Sequence, residues 1–415
     1  MKSHQELNNA RVDPWFAIDE YSPGSVIYLP SGLFVFQQLS AYLRKHYKLN
    51  GYLEVQCPDL WKKHLWNISG HSAMYEENMF HIENNKSESE EKSEEKNNEQ
   101  MWLRAMSCPC HHRIYSMQPR NSNNFPLRLA EFGSVHRNEA EGSLRGLFRV
   151  RKFHQDDGHI FCTKEQIRSE IRNFLNLVNK VYNLFGLDYM LELSTRPEKF
   201  IGEITEWDLA ESVLQTELEE SGRKWKLNKG DGAFYGPKID VHVTDSLGRS
   251  HQCGTIQLDF QLPERFDIWY TDSVSGERLR PSVLHRAVFG SLERIIGILL
   301  EHFQGNLPLW LSDKQFLICS LYKPNQDEMQ EKIKSYCNKL KEDMLEYNWN
   351  IRVDLDVSDD HIKQKVKSAS EKGYHYIIVI GDKEVQQNTL TIRHGRDVAF
   401  NKTFQDVINL WDIPM

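Results

Sequence analysis

The stretch "AMSCPCHH", residues 105–112, sets Cys108, Cys110, His111 and His112 within five positions. Thiolate and imidazole are the ligands zinc prefers, so the question is whether this cluster is a complete site or one ligand among bystanders. Its compactness favours a complete site. Against that, Pro109 alone separates the two cysteines, and a zinc knuckle spaces its pair by two to four residues. A zinc deaminase would need a Cys-x-x-Cys pair together with its His-x-Glu, and no Cys-x-x-Cys is present.

A second group of reactive side chains occupies "FGSVHRNEAEGSLRGLFRVRKFHQDDGHIF", residues 132–161. Arg137, Arg145, Arg149 and Arg151 stand among glycines, with Glu139 and the pair Asp156 and Asp157 nearby. A strand–loop–strand hairpin would bring Arg137 and Arg149 to one pocket. Guanidinium forks suit phosphate oxygens, because they bond bidentately and keep their charge when partly desolvated. A charged surface hairpin is the alternative.

These residues need elements to hold them. Apolar residues at helical spacing (Leu33, Phe36, Leu39, Leu43) predict a helix from Gly32 to Leu49, and "YLEVQCP" then reads as a strand stopped by Pro58. Thr163 caps a long amphipathic helix to about Phe185, and "YMLELST" follows as a strand. "KIDVHVTD" and "TIQLDF" read as antiparallel strands, and 287–303 as a strongly apolar helix. The first 300 residues are therefore α+β. After "GNLPLW", strands and helices alternate, through "QFLICSL", 325–347, "IRVDLD", 360–372, "YHYIIVIG", "TLTIRHG" and a closing helix near 403–411. That order predicts a small α/β domain with a mostly parallel sheet. Two domains are expected, 1–306 and 307–415.

Composition narrows the class. The chain has 415 residues, 11% of them aromatic, enough for two cores. It contains no run of eighteen apolar residues and does not open on a signal peptide. A soluble, cytoplasmic protein without a membrane partner is expected. Seven cysteines, an odd and small number for this length, argue for free thiols plus a metal ligand over a disulfide framework. The net charge of −8 owes half its value to 83–99, "ENNKSESEEKSEEKNNE", with seven acids and three lysines. This low-complexity stretch lacks apolar residues and reads as an inserted loop. The rest of the chain is mildly acidic, which leaves room for a local RNA-binding surface.

The hairpin segment "RLAEFGSVHRNEAEGSLRGLFRVRKFHQDDGHIF" resembles motif 2 of the class II aminoacyl-tRNA synthetases, specifically of the threonyl-tRNA synthetase family. "LEVQCPDLW…SGH…ENMF" is similar to motif 1 and the segment just after it, "HRAVFGSLERIIGILLEHF" to motif 3, and "GAFYGPKIDVHVTDSLGRSHQCGTIQLDF" to the family's central stretch. The likeness spans nearly the whole chain in the family's order; the prolyl and seryl families match the central stretch less well. It implies a class II catalytic domain, an antiparallel sheet flanked by helices, followed by an α/β anticodon-binding domain.

The resemblance also implies roles. Cys108 would join His159 and His285 around one zinc ion per subunit, with Cys110, at a usual glycine position, a conceivable competing thiolate. A Cys plus two His set leaves the metal coordinatively open. The zinc would bind the amino and hydroxyl groups of L-threonine, with Asp157 accepting from the hydroxyl. A site built for a hydroxyl rejects valine strongly, whereas serine, lacking one methyl, is the expected error. Arg137 would hold the α-phosphate of ATP, Glu139 read the adenine amino group and Phe153 stack on the ring. Arg149 and Arg294 would clamp the terminal phosphates with Mg²⁺. Tyr235 and Lys238 would face the activated threonine, with Gln155, Gln252, Gln257 and Ser291 around the substrates. Tyr235, Gln252 and Gln257 also have a packing reading, and His251 reads as a satisfied strand histidine. In the second domain, Glu384 and Arg393 match positions that contact anticodon bases of tRNA(Thr). Lys363, Lys365 and Lys367 read as an RNA-backbone face or a solvated one.

A homodimer is implied by Pro58 in motif 1. The family's N-terminal editing domain is not among the motifs. Removing 83–99 is expected to leave adenylate formation intact. The alternative function is a non-catalytic, synthetase-like RNA-binding regulator. Such proteins lose phosphate-binding arginines or metal ligands, and here all are present.

Overall fold

The computed structural model describes residues 15–82, 99–322 and 327–411, so the acidic stretch 83–99 lies outside the described residues except for its last position. The chain divides into two compact units, Met1–Leu29 with Leu43–His302, and Pro30–Tyr42 with Phe303–Met415.

The first unit is built on an eight-stranded sheet. In chain order its strands are β1 (Tyr52–Glu54), β2 (Leu127–His136), β3 (Lys152–Cys162), β4 (Tyr189–Ser194), β5 (Trp225–Asn228), β6 (Lys238–Thr244), β7 (Ser250–Asp259) and β8 (Ser282–Ser291). They lie in the order β1-β2-β3-β8-β7-β6-β4-β5. The interior pairings are antiparallel, and only the outermost pairs, β1 with β2 and β4 with β5, are parallel. β8 is buried at every position, as a central strand covered on both faces must be. Helix α1 spans Pro30–Leu49 and α2 Cys108–Ser116; α3 (Ile167–Leu184), α4 (Ile204–Glu220) and α5 (Leu292–His302) complete the larger helices of this half of the chain.

Three local expectations are corrected. The apolar segment 287–303 is not one helix: strand β8 runs to Ser291 and α5 starts at Leu292. Residues 287–291 stay extended because β3 and β7 hydrogen-bond to β8. Where the register with β3 shifts after Ala287, the Asp156 carboxylate takes the Val288 and Phe289 amides at 2.7 and 3.1 Å. The strand expected over "YLEVQCP" is only Tyr52–Glu54. The buried face of α1 runs through Phe34, Val35, Leu39 and Leu43, while Leu33 is exposed and Phe36 half-buried. A 3.6-residue period fits both stripes, and packing chose between them.

The second unit carries the strands β9 (Phe316–Ser320), β10 (Val353–Asp356), β11 (Tyr376–Ile380), β12 (Leu390–His394) and β13 (Asp397–Lys402), in the order β10-β9-β11-β12-β13. The sheet is mixed, not mostly parallel: β10, β9 and β11 pair parallel, whereas β12 and β13 form an antiparallel edge. Helices α6 (Asp327–Tyr347), α7 (Ile362–Glu371), α8 (Asp382–Gln387) and α9 (Phe404–Ile408) accompany it. Ile318, Ile333, Cys337, Leu340, Ile378 and Val407 sit in one core. Lys365 belongs to this interior rather than to a basic face. Its ammonium donates to Ser320 O and Oγ at 3.1 and 2.9 Å and to the carbonyls of Asp356 and Ser358 at 3.2 and 2.6 Å, while Lys363 and Lys367 stay exposed. Among the described residues no helix is long and apolar enough to cross a membrane.

Candidate active site and metal centre

Strand alternation builds the centre of the site. Phe153, Gln155, Asp157 and His159 fall at every second position of β3 and so face one side of the sheet. Register then carries that face sideways: His159 lies opposite His285 of β8, His285 opposite Gln257 of β7, and Gln257 opposite Lys238 of β6. One step along, Asp157, Ala287, Thr255 and Asp240 form the next row. Directly opposed residues of antiparallel strands point to the same face, so residues spread over 238–285 and 153–159 converge on one surface.

Cys108, at the start of α2, meets that surface at the two histidines. The ligand atoms of Cys108, His159 and His285 all lie within 4.8 Å of one another, and all three residues are buried. His285 Nδ1 is 3.1 Å from Cys108 Sγ, and the rings of His159 and His285 meet edge to face at 4.7 Å. His159 Nε2 is buried with no hydrogen-bond partner among the described residues. A buried, unpartnered imidazole nitrogen beside a thiol and a second imidazole is what a soft divalent cation would satisfy, so the residues fit zinc. Burial, then the neighbouring His111 and His285, holds His159 well below the usual histidine range, which keeps it in the neutral form that ligates. Burial, then the Asp157 and Asp259 carboxylates, pushes the Cys108 thiol up; a bound cation reverses that balance with its own charge. Within the cluster around residue 108 it is Cys108 that meets the two histidines, whereas Cys110 packs with Cys57 and Leu65 in an apolar cluster and His112 bonds the Cys108 carbonyl at 2.8 Å.

Around the cluster, Tyr235 lies 5.3 Å from the His285 ring, and burial, then the charges of Cys108 and Asp259, pushes its phenol well up. Burial raises the Asp157 carboxyl as well. Gln257 donates to the Gly236 carbonyl at 2.8 Å. Gly236 is required there, because a Cβ would sit 2.0 Å from the Leu258 carbonyl oxygen. Ser291, opposite Gln155, is 3.2 Å from Glu293, which also holds the ring of His154 at 2.8 Å. The side-chain amide oxygen of Gln155, Oε1, is buried without a partner among the described residues.

The arginines gather beside this face. Arg149 and Arg294, with Arg145, Arg249, Ser143 and Gln252, line a cleft of about 470 Å³. Arg294 bonds the Phe148 carbonyl at 3.2 Å and the Gln252 carbonyl. Burial, together with the positive fields of Arg137 and Arg149, lowers the pKa of its guanidinium. Cations crowded against their own repulsion are stabilised by an anion with several negative oxygens. Arg137 lies over the Phe153 ring at 5.0 Å, and Arg149 pairs with Glu139 at 2.7 Å. Glu139 and Phe153 therefore each hold an arginine in this structure.

Sequence reasoning missed the carboxylates behind the site. Asp240, fully buried, accepts from Lys238 and Gln252 at 2.7 Å and from Thr255 at 2.9 Å, fixing two of the expected substrate residues. Asp259 holds His285 Nε2 at 2.8 Å. Glu131 holds His111 at 3.2 Å and Arg104 at 2.9 Å. Burial opposes its charge, but the His111 ring, the Cys57 amide and the Arg104 guanidinium outweigh burial and hold its carboxyl low. Each is the one acid of its strand, a signal weaker than a motif. His71, in "SGH", carries no role that its sequence context reveals. It is buried against Tyr235, its Nε2 is without a partner among the described residues, and burial takes its pKa down to about 3.

In the second unit, Glu384 caps its own helix, accepting from the Gly381 amide at 2.9 Å and the Thr391 hydroxyl at 2.7 Å. Arg393 stands two residues beyond Thr391 on β12, on the same face. His251 is paired with Asp245 at 2.7 Å and stacked on Phe148.

The tRNA synthetase class II core domain (G, H, P, S and T) matches residues 91–303, and an anticodon binding domain matches 315–405. The human Threonine--tRNA ligase 1, cytoplasmic, is 43% identical over 392 residues, covering 94% of this chain and 51% of that protein. The mitochondrial threonine--tRNA ligase of Saccharomyces cerevisiae is 43% identical over 399 residues, covering 91% of this chain and 84% of that one. A crystal structure described as the RNA binding domain of threonyl-tRNA synthetase from Cryptosporidium parvum Iowa II superimposes with a TM-score of 0.87 at 36% identity, over 98% of this chain and 97% of that chain. The chain spans about half the length of several curated relatives it matches. With a class II core, an anticodon-binding domain and relatives of this identity along nearly its whole length, the chain belongs to the threonyl-tRNA synthetase family of the class II aminoacyl-tRNA synthetases.

Proposed function

We propose that this chain activates L-threonine with ATP to threonyl-adenylate and transfers the threonyl group to tRNA(Thr). The observation that carries the reading is the buried Cys108, His159 and His285 set on the same sheet face as Asp157, Gln257 and Lys238, with Arg137, Arg149 and Arg294 gathered beside it.

Zinc bound by those three residues would coordinate the amino and hydroxyl groups of threonine. Asp157 accepts from the hydroxyl, and Tyr235 and Gln257 close the pocket from the segment before β6 and from β7. Lys238, steadied by Asp240, faces the carboxylate end, and Gln155, Gln252 and Ser291 border the substrates. Class II synthetases use ATP with Mg²⁺. Arg137 leaves the Phe153 ring for the α-phosphate, freeing that ring to stack on adenine, and Glu139 turns from Arg149 to the adenine amino group. Arg149 and Arg294 then hold the terminal phosphates. Attack by the threonine carboxylate on the α-phosphorus builds negative charge on the equatorial oxygens, where Arg137 offsets it; no side chain has to move a proton in this step.

In this reading the catalytic domain spans about 1–306 and the anticodon-binding domain about 307–415, with Glu384 and Arg393 facing anticodon bases. Reading a base would require Glu384 to give up a capping bond or share it. A homodimer formed around the stretch that carries Pro58, and a cytoplasmic location, belong to the same reading. Amino-acid-dependent ATP–pyrophosphate exchange tests it, with threonine, serine, valine and proline in one panel. Strong exchange with threonine, weaker with serine and none with valine is expected. Exchange with proline would move the chain to another class II specificity, and no exchange by folded, zinc-loaded protein would make it a non-catalytic RNA binder.

A further inference from the structure

Two groups of metal-type side chains lie back to back in the first unit. The second, Cys57, His111 and Glu131, also has its ligand atoms within 4.8 Å and is also buried. It is not a second metal site. Glu131 already receives Arg104 Nη1 on both oxygens at 2.9 Å and the Cys57 amide at 2.8 Å. Both nitrogens of His111 are occupied, Nε2 by Glu131 at 3.2 Å and Nδ1 by His159 Nδ1 at 2.7 Å. A cation added here would meet a guanidinium and find no free imidazole lone pair.

The bonds have a direction instead. Glu131 takes hydrogen bonds from Arg104 and Cys57, so it is an acceptor, and His111 Nε2 must carry a proton to reach it. In a neutral ring His111 Nδ1 is then the acceptor, and the proton between the two Nδ1 atoms belongs to His159. That leaves His159 Nε2 with its lone pair bare, the atom that is buried and unpartnered beside Cys108. Asp259 does the same for His285 from the other side, holding Nε2 at 2.8 Å and leaving Nδ1 toward Cys108.

We propose that His111, backed by Glu131, is a positioning residue of the metal centre: it fixes the tautomer and ring plane of His159 so that Nε2, rather than Nδ1, is presented to the metal. The inference rests on the three-ligand reading of Cys108, His159 and His285. The two histidines thus ligate through different nitrogens, each with its outer nitrogen bonded, His285 directly to a carboxylate and His159 through a second imidazole. Arg104, bonded also to Asp59 and to the Ser134 carbonyl, anchors the far end of the chain to β2. Losing an outer partner of a ligating histidine typically costs 10–100-fold in metal affinity.

The test uses the full chain and zinc itself. Affinity is read by competition with a chromophoric chelator, and ligand geometry by the visible spectrum of the cobalt-substituted protein. His111→Phe fills the space but removes both hydrogen bonds, so zinc should bind about 10–100-fold more weakly and the cobalt bands should shift. His111→Asn offers an amide oxygen near the former Nδ1 and should recover most of the affinity and the wild-type spectrum. Glu131→Gln, which keeps the shape, should lie between, and carries the test if the Phe variant does not fold. Unchanged affinity and spectrum in folded His111→Phe protein overturn the proposal, as does equal loss in the Phe and Asn variants, which would make the role one of packing. Wild-type protein that binds no zinc overturns the three-ligand reading and this inference with it.

Discussion

At the level of single residues, the site divides into groups that meet substrate and groups that hold them. In the proposed reading Asp157 belongs to the first: it is buried and lies two positions before His159 on β3. Losing a hydrogen bond to a charged group costs about 1.5–3 kcal/mol. We therefore expect Asp157→Ala to lower kcat/KM for threonine in pyrophosphate exchange by roughly 10–100-fold. The threonine-to-serine ratio should change little, because both amino acids lose the same bond, while discrimination against valine narrows by that same factor. A fall confined to threonine would show that Asp157 does not read the hydroxyl. Cys110 belongs to neither group. It packs fully buried with Cys57 and Leu65, so Cys110→Ser should lower stability by about 1–3 kcal/mol through a buried hydroxyl. Zinc content should stay at the wild-type value; its loss would make Cys110 a ligand after all.

At the level of elements, the decisive feature is how β8 passes into α5. Gly290 has φ of +69°, and a Cβ there would lie 2.2 Å from the Cys253 carbonyl oxygen of β7. Both the left-handed backbone and the contact with a backbone atom forbid a side chain. Gly290→Ala should cost about 2 kcal/mol or more. It should also displace Ser291 and Arg294, whose amide bonds the Ser291 hydroxyl at 3.2 Å, so exchange should fall more steeply than the melting temperature alone would suggest. Normal KM for ATP in a destabilised Gly290→Ala protein would separate the turn from the phosphate site. The sequence announced a helix from 287 because every residue there is apolar or small, and a buried central strand carries the same composition as a buried helix. The Asp156 carboxylate, which takes two β8 amides, decided the matter from another strand.

Across the whole molecule, buried histidines set the response to acid. Burial first, then nearby positive groups, takes His71 down to about 3; burial takes His112 down to about 4. Both are neutral in the fold. The unfolded chain takes up a proton on each below about pH 6.5, so their stability is fully present above that pH and is lost as pH falls toward the folded values. By pH 5.5 each costs about 1.4 kcal/mol relative to pH 8, or about 3 kcal/mol together. Urea midpoints should therefore fall between pH 7.5 and 5.5, and His71→Asn should flatten part of that slope; an unchanged slope would mean that His71 is not buried in neutral form. Much of this protein was settled by its sequence alone. The α+β and α/β halves follow from periodicity, and Gln155, Asp157 and His159 fall on one face because side chains alternate along any strand. The motifs, through their family, named Cys108, His159 and His285 as one set. Tertiary structure alone decided the rest. Cross-strand register is a nonlocal choice, made by which face can be buried. It brings His285 opposite His159 and Gln257 and sets Asp240, Asp259 and Glu131 behind the groups they hold, while helix α2 carries Cys108, 177 residues before His285, and His111 onto them. A lone carboxylate in a strand says only that a partner exists; the fold supplies which one, because a buried charge persists only where hydrogen-bond donors from other strands and helices converge on it.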